Sequence, residues 1–301
     1  MPTVKEIIAE RFIAQIEAGV PPWKRPWKEV QGAARNYVSQ HRYRGLNTFL
    51  VPRGEYVTFN QCKAKGGEWP ESSRRHIVIF YKPMDAPKKD ADAEDDDNSR
   101  RFMLRYYSVC NVLDCGIEPH VLDAVTFQPH ERIERAEAVI SSYQSVGMPK
   151  VEFGFDQASY APGIDRIKMP DITQFVSPEE YYSTFFHELV HSTGHRTRLG
   201  RKFDLHPSSE RYGREELVAE MGSAILSWDC QIATDKMQDN QASYLANWIS
   251  AIKGEPNMVV WAGGKAQRAV DYMMGASELK KEVDSCLISK MPTSLKMLAM
   301  R

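Results

Sequence analysis

The sequence of 301 residues contains no Cys-x-x-Cys pair and no apolar run that approaches 18 residues. The first absence argues against a zinc site built from cysteines, and the odd number of cysteines, five, argues against a disulfide framework. The second absence argues against a membrane-spanning helix, and the first residues lack the features of a signal peptide. We therefore expect a cytoplasmic protein with no membrane partner and with reduced thiols at Cys62, Cys110, Cys115, Cys230 and Cys286.

The chain also has little net charge, −1 at pH 7, but its charges are unevenly distributed. Residues 1–84 contain 14 Lys and Arg against 7 Asp and Glu, whereas residues 85–99 contain 7 acidic residues against 2 lysines. A basic N-terminal region is typical of a protein that binds a polyanion. The acidic run has hardly any apolar side chains, so we predict a mobile loop at about residues 84–100.

The most informative pattern is His-Glu-x-x-His, formed by His187, Glu188 and His191. Residues four apart lie on the same face of a helix, so His187 and His191 can bind one metal ion through their imidazole nitrogens. Glu188 is then placed to act as the general base that takes a proton from a metal-bound water. The pattern predicts a catalytic metal site, with Zn²⁺ as the expected ion and Mn²⁺ as an alternative.

The residues around this pattern predict the limits of its helix. Ser177 is a suitable N-cap, Pro178 suits the first turn, and Glu180 completes a capping box. Gly194 is a natural end for the same helix. Aromatic and aliphatic residues between these limits predict that the helix is buried.

A zinc site of this kind needs a third protein ligand, for which several residues compete. The position that holds a third histidine in metzincins is Thr197 in this chain, which excludes that arrangement. His195 and His206 are weaker candidates. A predicted second helix, residues 214–226, carries Glu216 and Glu220 one turn apart. We favour Glu220, because three small residues follow it at 222–224, with Glu216 as the alternative ligand or as a partner for a ligand histidine.

Two basic, aromatic clusters in the N-terminal region predict binding of single-stranded DNA. Lysine and arginine contact phosphates, while tryptophan and tyrosine stack on unpaired bases. The alternative is a tryptophan-anchored core with cations extending to solvent. The predicted contact residues are Trp23, Lys24, Arg25, Trp27 and Lys28 in one cluster, and Arg42, Tyr43, Arg44 and Asn47 in the other.

The order of elements predicts an α+β protein of two domains. Residues 1–125 should form a mixed α/β domain, with strands near 56–59, 76–81 and 103–109. Residues 126–301 should form a mostly helical domain with a small sheet before the histidine-bearing helix. We predict that residues 165–169 are the edge strand of that sheet, where an extended peptide could pair.

Six segments spread over nearly the whole chain, taken together and in order, carry a resemblance to one known family. They are residues 22–27, 43–47, 107–112, 165–170, 181–195 and 215–220. Through them the chain resembles the ArdC family of plasmid antirestriction proteins. That resemblance implies an N-terminal single-stranded-DNA-binding domain, a zincin-like metallopeptidase domain, and protection of conjugatively transferred DNA from restriction. It also implies a protein that can accompany this DNA into the recipient cell.

Two classes of function remain open at this point. The chain could be a DNA-tethered protease that cleaves an unidentified protein, such as a restriction enzyme or another DNA-bound protein. Alternatively, it could coat DNA and protect it by occlusion, with a metal site that is structural or not required. A general base at Glu188 favours the first class, since a structural zinc site is usually closed by four protein ligands and needs no base.

Overall fold

The computed structural model describes residues 2–18, 21–24, 34–83, 102–120, 129–201, 210–232 and 241–275. The predicted acidic loop at 84–100 lies outside these residues, as do Arg25, Trp27, Lys28 and His206. The protein is α+β, as predicted, and its described residues form two small sheets, with about half of them in helices. It divides into two compact units, which we take in turn.

The first unit is built on a four-stranded sheet in the order β1-β2-β4-β3. β1 pairs parallel with β2, and β4 pairs antiparallel with both β2 and β3. β3 and β4 are rich in β-branched and aromatic residues, which suit a pleated surface. The strands are β1 (Arg35–Asn36), β2 (Glu55–Thr58), β3 (Arg75–Pro83) and β4 (Phe102–Asn111).

Three helices precede or interrupt this sheet. A capping box of Thr3 and Glu6 starts the first helix, which buries Ile8, Phe12 and Ile16. Thr58 and Gln61 form a second capping box where β2 leads into a helix. The helices are α1 (Val4–Glu17), α2 (Asn47–Leu50) and α3 (Phe59–Ala64).

The second unit contains two packed helices next to a three-stranded sheet. Its elements before residue 240 are α4 (Pro129–Ser145), β5 (Lys150–Phe153), β6 (Ser159–Ala161), β7 (Arg166–Met169), α5 (Pro178–Thr193) and α6 (Glu210–Asp229). Two further helices follow, α7 (Gln241–Gly254) and α8 (Asn257–Met273). Residues Ala242–Val260 group with the first unit, where Lys253 lies 3.6 Å from Glu17, and the rest of α8 groups with the second.

The sheet of the second unit corrects one prediction. Its order is β5-β7-β6, so β7 pairs parallel with β5 on one side and antiparallel with β6 on the other. Because both hydrogen-bonding sides of β7 are occupied, residues 166–169 are not an edge strand and have no side left for a peptide.

The described cysteines, Cys62, Cys110, Cys115 and Cys230, are free thiols and are buried. Burial raises the pKa of the Cys230 thiol to about 12, which keeps it protonated and unreactive. Across the described ranges, no helix is long and apolar enough to cross a membrane.

Candidate metal centre

Helix α5 begins and ends where the sequence predicts. The Ser177 side chain accepts a hydrogen bond from the Glu180 amide, Pro178 occupies the first turn, and Gly194 is the C-cap. Its aromatic and aliphatic residues are buried, including Phe186 and Leu189. The helix therefore holds His187 and His191 on one face of a rigid, packed element.

Three side chains from α5 and α6 bring their donor atoms together. The Nε2 atoms of His187 and His191 lie 3.1 Å apart. The Glu216 carboxylate places one oxygen 3.5 Å from Nε2 of His187 and the other 3.4 Å from Nε2 of His191. Ligand atoms about 2.0–2.1 Å from a tetrahedral zinc ion lie roughly 3.3 Å from one another. These three side chains, which we call the donor set, therefore fit a divalent metal in both chemistry and spacing.

The carboxylate that meets the histidines is Glu216, the alternative, and not the favoured Glu220. The reason is the way in which α5 and α6, which run in opposite directions, are aligned along each other. The Ser223 hydroxyl donates to the Ser183 carbonyl at 2.8 Å, near the start of α5, whereas Glu216 faces the histidines further along. Glu220 lies between these points, about one turn short of the imidazoles. We correct our preference accordingly.

Gly222 explains how closely the two helices approach. A Cβ atom at this position would lie 2.8 Å and 2.9 Å from the two methyl carbons of Val190. The small residues of α6 therefore do permit close packing, as predicted from the sequence. That close packing occurs about two turns beyond Glu216 along α6. The small residues therefore do not indicate which glutamate binds the metal.

The electrostatics of the donor set suit a cation. Burial raises the pKa of Glu216, but hydrogen bonds with His187 and His191 outweigh this and hold it far below its usual range. Burial lowers the pKa of His191, but Glu215 and Glu216 outweigh burial and raise it to about 10. The negative charge that favours a proton on His191 equally favours a metal ion at the same place.

Two residues that the sequence argument did not assign hold His191 in place. Glu215 lies 3.4 Å from Nδ1 of His191, and Arg201 donates to both Glu215 oxygens, at 2.9 Å from Nε and 2.7 Å from Nη2. Arg201 also donates to Thr193 Oγ1 at 2.8 Å. Because Glu215 bonds Nδ1, the Nε2 atom of His191 is directed at the donor set. Glu215 stood next to Glu216 in the sequence, but nothing there indicated its role.

Glu188 is buried, with 8% of its surface exposed. Among the described residues, its carboxylate has no hydrogen bond or ion pair. A buried carboxylate without a protein partner is open to a water or a substrate, which suits a general base.

A neighbouring polar cluster occupies His195. Nδ1 of His195 lies 2.8 Å from Thr197 Oγ1 and 3.8 Å from Asp165. Asp165 accepts hydrogen bonds from Tyr160 and Arg198, and Arg198 also donates to the Ser192 carbonyl at 2.7 Å. His195 is therefore engaged outside the donor set and is not a ligand in this arrangement.

Two predicted DNA contacts, Trp23 and Asn47, turn out to be structural, and a third, Tyr43, is only half-buried. Trp23 is only 3% exposed, so its ring cannot stack on a base. The Asn47 side chain donates to the Ile79 carbonyl at 2.9 Å and accepts from the Ile79 amide at 2.7 Å, which uses both ends of its amide group. Tyr43 is half-buried against Tyr56, with ring centroids 6.3 Å apart. The predicted roles of Trp23 and Asn47 in DNA binding are therefore corrected.

The remaining predicted contacts are either exposed or not described. Arg42 and Arg44 have exposed side chains. The backbone of Lys24 lies in a short 3₁₀ turn, Pro22–Lys24, but its side chain is outside the described part. Exposed arginines suit phosphate contacts, so these two stay predictions.

The two halves of the chain match two families in that order. Residues 2–110 match the N-terminal domain of anti-restriction factor ArdC, and residues 134–265 match zincin-like metallopeptidases. The fold and the donor set thus define a protein with an ArdC-type N-terminal domain and a zincin-like metallopeptidase domain.

Whole-chain relatives identify the family. An uncharacterized protein, y4eC of Sinorhizobium fredii, is 30% identical over 286 residues, covering 90% of this chain and 91% of that protein. Antirestriction ArdC from plasmid R388, in a Mn(II)-bound and a metal-free crystal structure, is 26% identical with a TM-score of 0.68. These alignments cover 90% and 91% of this chain, respectively, and 97% of each ArdC chain. The chain belongs to the ArdC family of antirestriction proteins.

A similar sequence also occurs within a larger relative. A DNA primase TraC of Escherichia coli is 32% identical over 292 residues, which cover 89% of this chain but 20% of the primase. This chain therefore spans about one fifth of that relative.

Proposed function

We propose that this protein is an antirestriction factor that binds single-stranded DNA and cleaves protein at a divalent metal site. The observation that carries the proposal is the meeting of His187, His191 and Glu216 beside the buried Glu188. We place this activity in the cytoplasm, including that of a cell that receives conjugative DNA. The protein substrate is a restriction enzyme or another DNA-bound protein.

His187, His191 and Glu216 would hold the ion, which is Zn²⁺ or Mn²⁺. A metal ion bound there supplies a Lewis acid that polarises a peptide carbonyl and lowers the pKa of a water. The Mn(II)-bound ArdC relative supports a divalent metal in this family. Glu215 and Arg201 keep His191 oriented throughout, since both are buried and bonded to each other.

Glu188 carries the proton in this mechanism. Its carboxylate takes a proton from the attacking water and returns it to the nitrogen of the leaving amine. Burial keeps competing bulk water away from this carboxylate, and the absence of a described protein partner leaves its oxygens available.

The DNA-binding part of the proposal depends on the N-terminal unit. The match to the ArdC N-terminal domain and the likeness to a DNA primase both support a nucleic-acid partner. The excess of Lys and Arg in residues 1–84 supports an affinity that falls as salt rises.

The test compares Glu188→Gln with wild type in cleavage of DNA-bound proteins by the full-length, metal-loaded protein. We expect the variant to lose at least about 100-fold in rate, because general-base catalysis contributes on that order, and to keep its metal. Glu220→Gln is the matched control, since Glu220 lies on the adjacent helix outside the donor set, and it should retain activity. Cleavage by Glu188→Gln at the wild-type rate would contradict the proposed mechanism.

Protection by occlusion is the second candidate function. It is favoured by the relative that joins this sequence to a primase, because such a protein must itself remain on DNA. A conjugative-transfer assay against a restricting recipient separates the two. Full protection by Glu188→Gln would assign protection to DNA coating, whereas loss of protection would assign it to the protease.

A further inference from the structure

Because Trp23 is buried and Tyr43 is half-buried, stacking on bases in the first unit needs other, exposed rings. Among its aromatic residues whose exposure is described, four are largely exposed. Three of them lie on the β3–β4 hairpin, and the fourth, Phe59, lies on α3. They are Phe59, Phe80, Tyr106 and Tyr107.

The hairpin places two of these rings and a cation on one face. Phe80 is directly opposite Arg105 in the antiparallel register, and Tyr107 is two residues from Arg105 on the same strand. Residues opposite each other, or two apart, point to the same side of a sheet. The rings of Phe80 and Tyr107 have centroids 5.4 Å apart and are 46% and 49% exposed.

Charge also favours this face. Arg105 lies on it, and β3 and β4 contain no aspartate or glutamate. The Arg105 side chain is exposed, and a shallow recess of about 270 Å³ lies against it and against Val4 and Tyr107. A polyanion would therefore meet positive charge and open aromatic surface together.

Phe59, the exposed ring outside the hairpin, offers less. The Lys63 ammonium already lies 4.9 Å from the centroid of its ring, and Trp69 packs against the edge at 5.6 Å. Acidic residues Glu68 and Glu71, on either side of Trp69 in the chain, are exposed. Phe59 is thus a control of similar type and exposure, 45%, in a less favourable setting.

We infer that the face formed by Phe80, Arg105 and Tyr107 is the surface on which single-stranded DNA stacks. This rests on the proposed function, since it names the site for the proposed DNA binding. Phe80 and Tyr107 each present exposed ring surface that stacks on any base, and Arg105, opposite Phe80 on the neighbouring strand, neutralises a phosphate. Recognition of this kind is tolerant of sequence, as protection of arbitrary DNA requires.

The experiment measures anisotropy of a labelled oligo-dT with the full-length protein at several salt concentrations. The variant is Phe80→Leu combined with Tyr107→Leu, which keeps apolar volume but removes both rings. We expect its Kd to rise about 5- to 100-fold for each stack lost. Arg105→Gln should weaken binding and reduce the slope of log Kd against log salt by roughly 0.7, the value for one phosphate contact on a single strand.

Phe59→Leu is the matched control and should bind as wild type does. Thermal unfolding of all variants checks that they fold, and ultraviolet crosslinking of wild type to an iodouracil oligonucleotide gives a readout independent of any variant. Crosslinks should map to the peptide that contains Tyr107 or to the one that contains Phe80.

The outcomes separate this inference from the proposed function. If wild type does not bind single strands, both are overturned. If wild type binds, but the double variant binds equally well or Phe59→Leu binds as weakly as the double variant, only the placement on this face is overturned. The same holds if wild type is a dimer that the double variant dissociates, because the face would then be an interface between two copies.

Discussion

The donor set and the hairpin face use their side chains in opposite ways. His191 is buried, held by Glu215, which Arg201 holds in turn, whereas Phe80 and Tyr107 leave about half of their surface in water. A metal ion requires fixed ligand distances, so its site needs rigid support. Stacking on successive bases tolerates many geometries, so an open surface is sufficient. The donor set is therefore rigid and buried, whereas the hairpin face is exposed.

The largest loss of stability should come from Arg201→Met, which removes the support of the metal site. Arg201 and Glu215 form a buried ion pair, and removing one partner leaves an uncompensated charge. We expect a loss of about 3–5 kcal/mol in the free energy of unfolding, measured in urea on metal-free protein. Arg196→Met removes an exposed arginine nearby and should change stability by less than about 0.5 kcal/mol. Equal effects of the two variants would contradict a supporting role for Arg201.

A smaller loss should follow from Gly222→Ala. The added Cβ would lie 2.8 Å from a Val190 methyl carbon, so the helices that carry the donor set must separate. Overpacking of this kind costs about 1–3 kcal/mol, and the shift should also weaken metal binding. Gly264→Ala is the control, because a Cβ there meets nothing within 4 Å and alanine favours a helix by up to about 1 kcal/mol. Stabilisation by Gly222→Ala would show that the helices are not closely packed.

In the first unit, two variants should show that stability and DNA affinity depend on different residues. Asn47→Ala removes both hydrogen bonds to the Ile79 backbone and should cost about 1–3 kcal/mol without changing DNA affinity. Arg42→Ala should do the reverse, weakening DNA binding with a stability change below about 0.5 kcal/mol, because its side chain is exposed. Urea unfolding and anisotropy on the same samples measure both quantities. Weaker DNA binding by a fully folded Asn47→Ala would restore Asn47 as a contact.

What the sequence predicted well depended on short-range patterns. The N-cap at Ser177, the end at Gly194 and the four-residue spacing of His187 and His191 are all properties of a single helix. Runs of β-branched and aromatic residues likewise predicted β3 and β4. These features needed no knowledge of how separate elements pack.

What the sequence did not predict depended on how distant elements meet. Glu216 and Glu220 lie one turn apart on α6, and only the register of α6 against α5 decides which of them meets the histidines. Asn47 lies among arginines and tyrosines, and its bonds to Ile79 come from a strand that begins 28 residues later. Similarly, the central position of β7 follows from pairing with β6, which no local pattern encodes.

The most direct test of the donor set is metal binding by three full-length proteins: wild type, Glu216→Gln and Glu220→Gln. Isothermal titration of metal-free protein with Zn²⁺ or Mn²⁺ gives each affinity. Removing a hydrogen-bond partner of a metal ligand typically lowers metal affinity by about 10- to 100-fold. We predict that Glu216→Gln lowers the affinity by more than this, while Glu220→Gln binds the metal as wild type does. Loss of the metal in Glu220→Gln with retention in Glu216→Gln would contradict the site described here.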